Sequence, residues 1–263
     1  MLDFYNLSEN PFTISPNARF FHISATHRAI IQKIDYVIEF KQGLTVVYGD
    51  VGTGKTSLAR ILMDRYSEKN KVIFISTPRW KSEMAMMKSI SEEFGVDPKL
   101  SLQNQMKAFK EKLIYLYTKK INPVIIIDEA QFMKGQQFEA LREINNFETE
   151  TEKLLQVVLV GQMELRNKLR LKRALLSRVI LTSSLSSLTQ KEMIDMVEFR
   201  LTQAGGKMDI FTDEALAKIY GLSKGLPRDA IKLCGVSLKF AHGFKERIIG
   251  PEIIEAMTKE PPK

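Results

Sequence analysis

At 263 residues the chain can form one large domain or two modest ones. Its 44% hydrophobic and 27% charged content excludes collagen-like, disordered and disulfide-scaffold classes. The net charge of +8 at pH 7 favours polyanionic partners, and it is uneven: residues 1–188 carry +7 and residues 189–263 only +1. No apolar run approaches the ~18 residues of a membrane helix. The start Met1-Leu2-Asp3-Phe4 shows no signal peptide, and the single Cys234 has no internal partner for a disulfide. These features predict a soluble, cytoplasmic protein with no membrane partner.

A helix is predicted over 26–41, and from residue 44 to about 182 short apolar β-branched runs alternate with helical patterns. The strands are Leu44–Tyr48, Val72–Ser76, Val124–Asp128, Gln156–Val160 and Val179–Thr182. Helices fall near 54–66, 81–94, 102–119, 136–147 and 163–176. In the last of these, Leu165, Leu169 and Leu176 at helical spacing form the predicted buried face. Such alternation implies βαβ units, and so an α/β core whose five-stranded parallel sheet is covered on both faces. After Leu188 the strands stop. Thr189-Gln-Lys-Glu192 is a capping box, Thr212 a second N-cap, and Gly225 and Gly250-Pro251 punctuate further helices. The predicted division is an N-terminal segment 1–25, an α/β core 26–188 and a small all-helical domain 189–263 whose tail, Glu260–Lys263, frays.

Two motifs carry chemistry. Gly49-Asp50-Val51-Gly52-Thr53-Gly54-Lys55-Thr56 fits G-x-x-x-x-G-K-[ST] and lies between a strand and a helix, where that motif belongs. Its glycines let backbone N–H groups wrap phosphates, and the helix N-terminus that follows adds partial positive charge. Lys55 reaches the β- and γ-phosphates, the Thr56 hydroxyl ligates Mg²⁺, and Ser57 completes the cradle. The second motif is Val124-Ile-Ile-Ile-Asp128-Glu129. An apolar strand ending in Asp places the Asp128 carboxylate at the sheet's carboxyl edge, where it holds the hydration shell of Mg²⁺. Glu129 is placed to polarise an attacking water as general base.

The chain resembles AAA+ ATPases, and within them the ExeA/GspA-type ATPases and the transposition ATPases TnsC and MuB. The resemblance rests on Phe4-Tyr-Asn-Leu-Ser-Glu-Asn-Pro-Phe12, the Gly49–Thr56 loop, Ile127-Asp-Glu-Ala-Gln131, Leu155-Gln-Val-Val-Leu-Val-Gly-Gln162 and Gly225-Leu-Pro-Arg228. It implies ATP as cofactor with Mg²⁺, a P-loop core and a helical lid. It implies Gln162 as sensor 1, orienting water or γ-phosphate, and Arg228 as sensor 2, forking to the γ-phosphate of its own subunit. Arg178, or its rival Arg173 one turn away, takes the arginine-finger position that acts on a neighbouring subunit's nucleotide. Asn10 and Phe12, with His27, stand where the family packs residues around adenine; Phe12 equally suits a core and His27 a satisfied surface position.

Candidate polyanion contacts are the run Arg166–Arg178, with six basic residues and no acid, and Lys99–Lys120, with six lysines against Glu111. The latter ends in Lys119 and Lys120. A third is Arg79-Trp80-Lys81, a cation and an aromatic after the second strand. Each run can instead be a solvated face, and Trp80 can be core. The resemblance thus implies an ATP-dependent regulator of TnsC/MuB type, forming rings or filaments on duplex DNA and presenting it to a transposase with its targeting proteins. The alternatives are an ExeA/GspA-type secretion ATPase and a replication-initiator or helicase-loader ATPase. Secretion members continue into a membrane helix and a peptidoglycan-binding module, and this sequence ends after the lid, so the expectation is the DNA role.

Overall fold

The computed structural model describes residues 1–14 and 17–259, so the tail expected to fray lies outside the described residues. Contacts divide the chain into two compact units. His27–Asp50 with Leu58–Leu185 form one, and Met1–Thr26, Val51–Ser57 and Ser186–Lys263 form the other.

The first unit is built on a sheet. After α1 (Ala25–Glu39) the chain runs β1 (Leu44–Gly49), α2 (Lys55–Ser67), β2 (Asn70–Ile75), α3 (Glu83–Glu93), α4 (Leu102–Thr118), β3 (Asn122–Ile127), α5 (Gly135–Asn145) and β4 (Gln156–Gly161). It closes with α6 (Met163–Arg170), α7 (Arg173–Leu176) and β5 (Val179–Leu185). The five strands are all parallel in the order β2-β3-β4-β1-β5. β4 is buried along its whole length and β3 along all but its first residue, which is why both read as unbroken apolar runs and not as alternating ones. Side chains of α3, α4 and α5, among them Met86, Met87, Phe109, Leu113, Phe138 and Leu141, bury one face of the sheet. No helix among the described residues is long and apolar enough to cross a membrane.

One expectation fails locally. The single helix predicted over 163–176 is broken: α6 stops at Arg170, and Lys172 leaves helical geometry with φ −109° and ψ 64° before α7 begins. The break shifts the helical phase. Leu165 and Leu169 are buried as expected, but Leu175 replaces Leu176 in the core, and Leu176 is left 39% exposed.

The second unit is helical, with α8 (Gln190–Gln203), α9 (Asp213–Ser223), α10 (Pro227–Gly243) and α11 (Pro251–Lys259). The capping box forms as read: Glu192 N donates to Thr189 Oγ1 at 3.2 Å and Thr189 N donates to Glu192 Oε2 at 3.0 Å. Thr212 caps α9 by accepting from Ala215 N at 3.2 Å. The N-terminal segment belongs to this unit. Tyr5 Oη donates to Glu246 O at 2.8 Å, Ser8 N donates to Ala204 O at 2.8 Å, and the Phe12 ring stands edge-on to Phe211.

The phase shift at Lys172 is testable. Leu175→Ala should lower stability by about 2–4 kcal/mol, the range for emptying a buried leucine site. Leu176→Ala should cost less than about 1 kcal/mol, as partly exposed positions do. Urea unfolding midpoints of the two variants give the comparison, and equal losses would restore the unbroken helix.

Candidate nucleotide site

The phosphate-loop sequence begins where β1 ends. At Gly49 a Cβ would lie 2.3 Å from the carbonyl oxygen of Leu185 on β5, so only glycine lets β1 run beside β5 to the edge. Gly49 therefore serves strand packing. Gly52 and Gly54 differ: their φ values of 85° and 95° put them in the left-handed region that favours glycine, and these two turns curl the loop. Lys55 and Thr56 open α2, at the end of a 13-residue helix whose first amides have no intrahelical acceptor. Thr53 and Lys55 are buried, Gly52, Gly54, Thr56 and Ser57 are half-buried or less accessible, and Asp50 and Val51 are exposed.

In the sheet unit a second group forms at the carboxyl edge. Asp128 N donates to Ile75 O at 2.8 Å, extending the β2–β3 ladder by one residue and holding the buried Asp128 at the strand tip. Its Oδ1 accepts from Glu129 N at 2.9 Å. Glu129 adopts a left-handed conformation, φ 52° and ψ 34°, which costs a non-glycine residue about 1 kcal/mol or more. Its carboxylate oxygen Oε2 accepts from two amides, Gln131 Nε2 and Gln162 Nε2, the latter at 3.3 Å. Gln131 Oε1 in turn accepts from Gln162 N at 3.0 Å. The Lys168 ammonium donates to the carbonyls of Gln131 and Met133. Asp128, Glu129 and Gln162 are thus brought together as read. The residue the reading missed is Gln131, buried between them, which ties the end of β3 to the end of β4. Its signal was present in Asp128-Glu129-Ala130-Gln131, since an amide two residues after the glutamate on a short helical turn can reach back to it.

In the helical unit Arg228 sits in the first turn of α10, after Pro227 at the first helical position. Gly225 turns the chain into that helix with φ 71°, and a Cβ there would lie 2.1 Å from Leu188 O. Arg228 N donates to Gly52 O at 3.3 Å. A cleft of about 470 Å³ opens at this point, with Ile14, Val51 and Leu226 as apolar walls and Gly52, Arg228, Asp229 and Lys232 as polar ones. Asn10 Oδ1 accepts from Phe12 N at 3.0 Å, which shapes the segment leading to the cleft. Phe12 itself is core, and Ile14 is the residue of this segment that lines the cleft. His27 is buried on α1.

The basic residues divide. Within the 166–178 run, Arg166 lies over the Tyr48 ring at 5.3 Å, Lys168 is engaged as above, and Lys172 pairs with Glu139 at 3.2 Å. Hydrogen bonds from Arg142 and then Lys172 hold the Glu139 carboxyl below its usual range. Arg170, Arg173 and Arg178 are exposed, and Arg178 N donates to Leu175 O at the turn before β5. Arg79 is exposed and stacks over Phe132 at 4.8 Å. Trp80 packs against the sheet core, its carbonyl accepting from Gln137 Nε2 at 2.8 Å, while Lys81 is exposed. Lys119 lies over Tyr115 at 5.7 Å, and Lys120 is exposed.

Comparison with known proteins places this geometry. The family model described as an AAA domain matches residues 38–169, a stretch that contains β1 to β4 and with them both motifs. General secretion pathway protein A of Aeromonas hydrophila is 33% identical over 253 residues, covering 94% of this chain and 46% of that protein. The chain thus spans about half the length of that relative. ORC2 of Aeropyrum pernix, solved in ADPNP–ADP complexes, matches with a TM-score of 0.67 at 17% identity, over 93% of this chain and 71% of that one. ORC1 of the same organism, solved in complex with DNA, matches with a TM-score of 0.67 at 18% identity, over 95% and 69%. The RuvB Holliday junction branch migration motor of Thermotoga maritima gives a TM-score of 0.59 at 20% identity, over 92% and 72%. At such identities these structures speak to the fold alone. With the AAA model matching half of the chain and a five-stranded parallel sheet at its core, the chain belongs to the AAA domain family and is an AAA+ P-loop ATPase.

Proposed function

We propose that the chain is the ATP-driven module of an ExeA/GspA-type assembly, in which hydrolysis switches the association state of its subunits. The observation that carries this reading is the 33% identity to general secretion pathway protein A, which extends over 94% of the chain and so through both units. In this reading Lys55 and the loop Gly49–Ser57 bind the phosphates of ATP, and Glu129 takes the proton of the attacking water. Gln162 orients that water, Arg228 holds the γ-phosphate of its own subunit, and exposed Arg178 or Arg173 completes a neighbour's site. Bound Mg²⁺ neutralises phosphate charge. Its protein ligands would be the Thr56 hydroxyl and the Asp128 carboxylate, hard oxygen donors that suit it. Among the described residues no cluster of three or more His, Cys, Asp or Glu side chains exists to cage an ion.

A second reading keeps the same site and makes the ring or filament a DNA-bound regulator of TnsC/MuB type that serves a transposase. The +7 charge of residues 1–188 favours it, through Arg79, Lys81, Lys119 and Lys120. Light scattering of the protein with ATPγS and with ADP, each with and without duplex DNA, separates the two. ATPγS-driven assembly that ignores DNA supports the secretion-type reading. Assembly only on DNA, weakening with a steep logarithmic salt slope of about 0.9 per phosphate neutralised, overturns it in favour of the second.

Two kinetic outcomes test the site itself. Glu129→Gln should leave nucleotide affinity near wild type and cut turnover by about 10²–10⁴-fold, whereas Lys55→Ala should abolish binding. Gln131→Ala should lower turnover by about tenfold with unchanged affinity, because it frees the glutamate from one of its two amide donors. Steady-state phosphate release and fluorescent-nucleotide titration measure both. Full turnover in Glu129→Gln would remove the assigned base. Mixing Arg178→Ala with Glu129→Gln subunits should restore activity above either alone if the site is shared between subunits.

A further inference from the structure

Arg200 has no role in the site as described, and its surroundings are unusual. It lies on α8 with 6% exposure, and among the described residues no carboxylate pairs with it. Its Nη1 donates to the carbonyl of Pro11 at 2.5 Å and reaches that of Thr13 at 3.5 Å. The guanidinium stacks over Phe20 at 5.6 Å, and its Nε has no hydrogen-bond partner among the described residues. Burial lowers its pKa to about 10, so it stays charged at neutral pH. An interior cation without an acid is a costly way to fill a core, and methionine or leucine would pack the same space without that desolvation. Its contacts therefore point to what it holds.

What it holds is the strap Pro11–Ile14. Earlier ties at Tyr5 and Ser8 anchor the start of the segment to the helical unit. Arg200 grips the stretch before Ile14, through carbonyls one and three residues ahead of it. Ile14 is 50% exposed and forms an apolar wall of the cleft beside Gly52 and Arg228. Phosphates bind to the amides of the loop, whereas a wall of Ile14, Val51 and Leu226 offers no side-chain donors and suits the flat, apolar faces of a base.

We propose that Arg200 is a positioning residue for nucleotide recognition: by holding the carbonyls of Pro11 and Thr13 it sets the strap so that Ile14 packs against the purine base. The inference rests on the assignment of the cleft to the nucleotide. A strap fixed in advance spares the nucleotide the cost of ordering it, so the effect falls on base affinity and not on phosphate affinity.

The test compares wild type, Arg200→Met, Arg200→Lys and Ile14→Ala in three measurements: ADP affinity, affinity for inorganic tripolyphosphate, and melting temperature. Arg200→Met should bind ADP about tenfold more weakly, bind tripolyphosphate as wild type does, and melt no lower than wild type. Arg200→Lys, which keeps a donor, should recover part of the ADP affinity. Ile14→Ala should reproduce the ADP loss without touching the buried cation, and it decides the matter if Arg200→Met does not fold. Unchanged ADP affinity in folded Arg200→Met or in Ile14→Ala, or equal losses for ADP and tripolyphosphate, would overturn the proposal. A wild type that binds tripolyphosphate but not ADP would overturn the nucleotide assignment beneath it.

Discussion

The parallel pairing of β3 with β4 sets everything else in the sheet unit. Their register places Ile127 opposite Leu159, so both strands leave the sheet at one edge and within a residue or two of each other. Asp128 and Glu129 follow the first strand, and Gln162 follows the second. Both strands are sealed by helices, and their buried backbone has no choice but the ladder. A one-residue slip would exchange the side chains packed on the two covered faces and carry the acids away from the amide. The chemistry is therefore fixed by hydrophobic burial several residues away from it.

That edge stores a small strain and uses neutral partners. Glu129 is held in a left-handed conformation by a strand on one side and a short helical turn on the other. Its carboxylate faces amides from Gln131 and Gln162. Amides orient the carboxylate through hydrogen bonds without bringing a second formal charge to the edge. The nearby Lys168 ammonium is directed instead to main-chain carbonyls. Gln131 is thus both a brace between two strands and a hydrogen-bond partner of Glu129. Its double duty explains why it is buried although polar.

The strands were legible because buried parallel strands are continuous runs of β-branched residues. Each observed strand begins or ends within about three residues of the reading. The phosphate loop and the acidic pair were legible because their spacing is local. What escaped was set by distance or by phase. The break at Lys172 has no glycine or proline to announce it, and it exchanges Leu176 for Leu175 in the core. Gly49 matched the motif, but its reason, the carbonyl of Leu185 on a strand more than a hundred residues later, is not in the motif. Arg200 binds carbonyls 189 and 187 residues away, and no periodicity encodes such a pair.

Net charge overstates the surface open to a polyanion, and the geometry shows why. In the run 166–178, half of the six basic side chains work inside the sheet unit, on the Tyr48 ring, on main-chain carbonyls and on Glu139. Arg79 is drawn onto Phe132, and Trp80 is drawn toward the core. A lysine or arginine whose head already satisfies a carbonyl or carboxylate contributes less to counterion release than its formal charge suggests. The polyanion argument therefore falls on a shorter set, Arg170, Arg173, Arg178, Lys81, Lys99, Lys107 and Lys120, all exposed. Arg173 and Arg178 are also the pair proposed above to complete a neighbouring subunit's site. If one of them is committed there, the surface left for DNA shrinks again, and subunit assembly becomes the stronger claim on this face of the sheet unit.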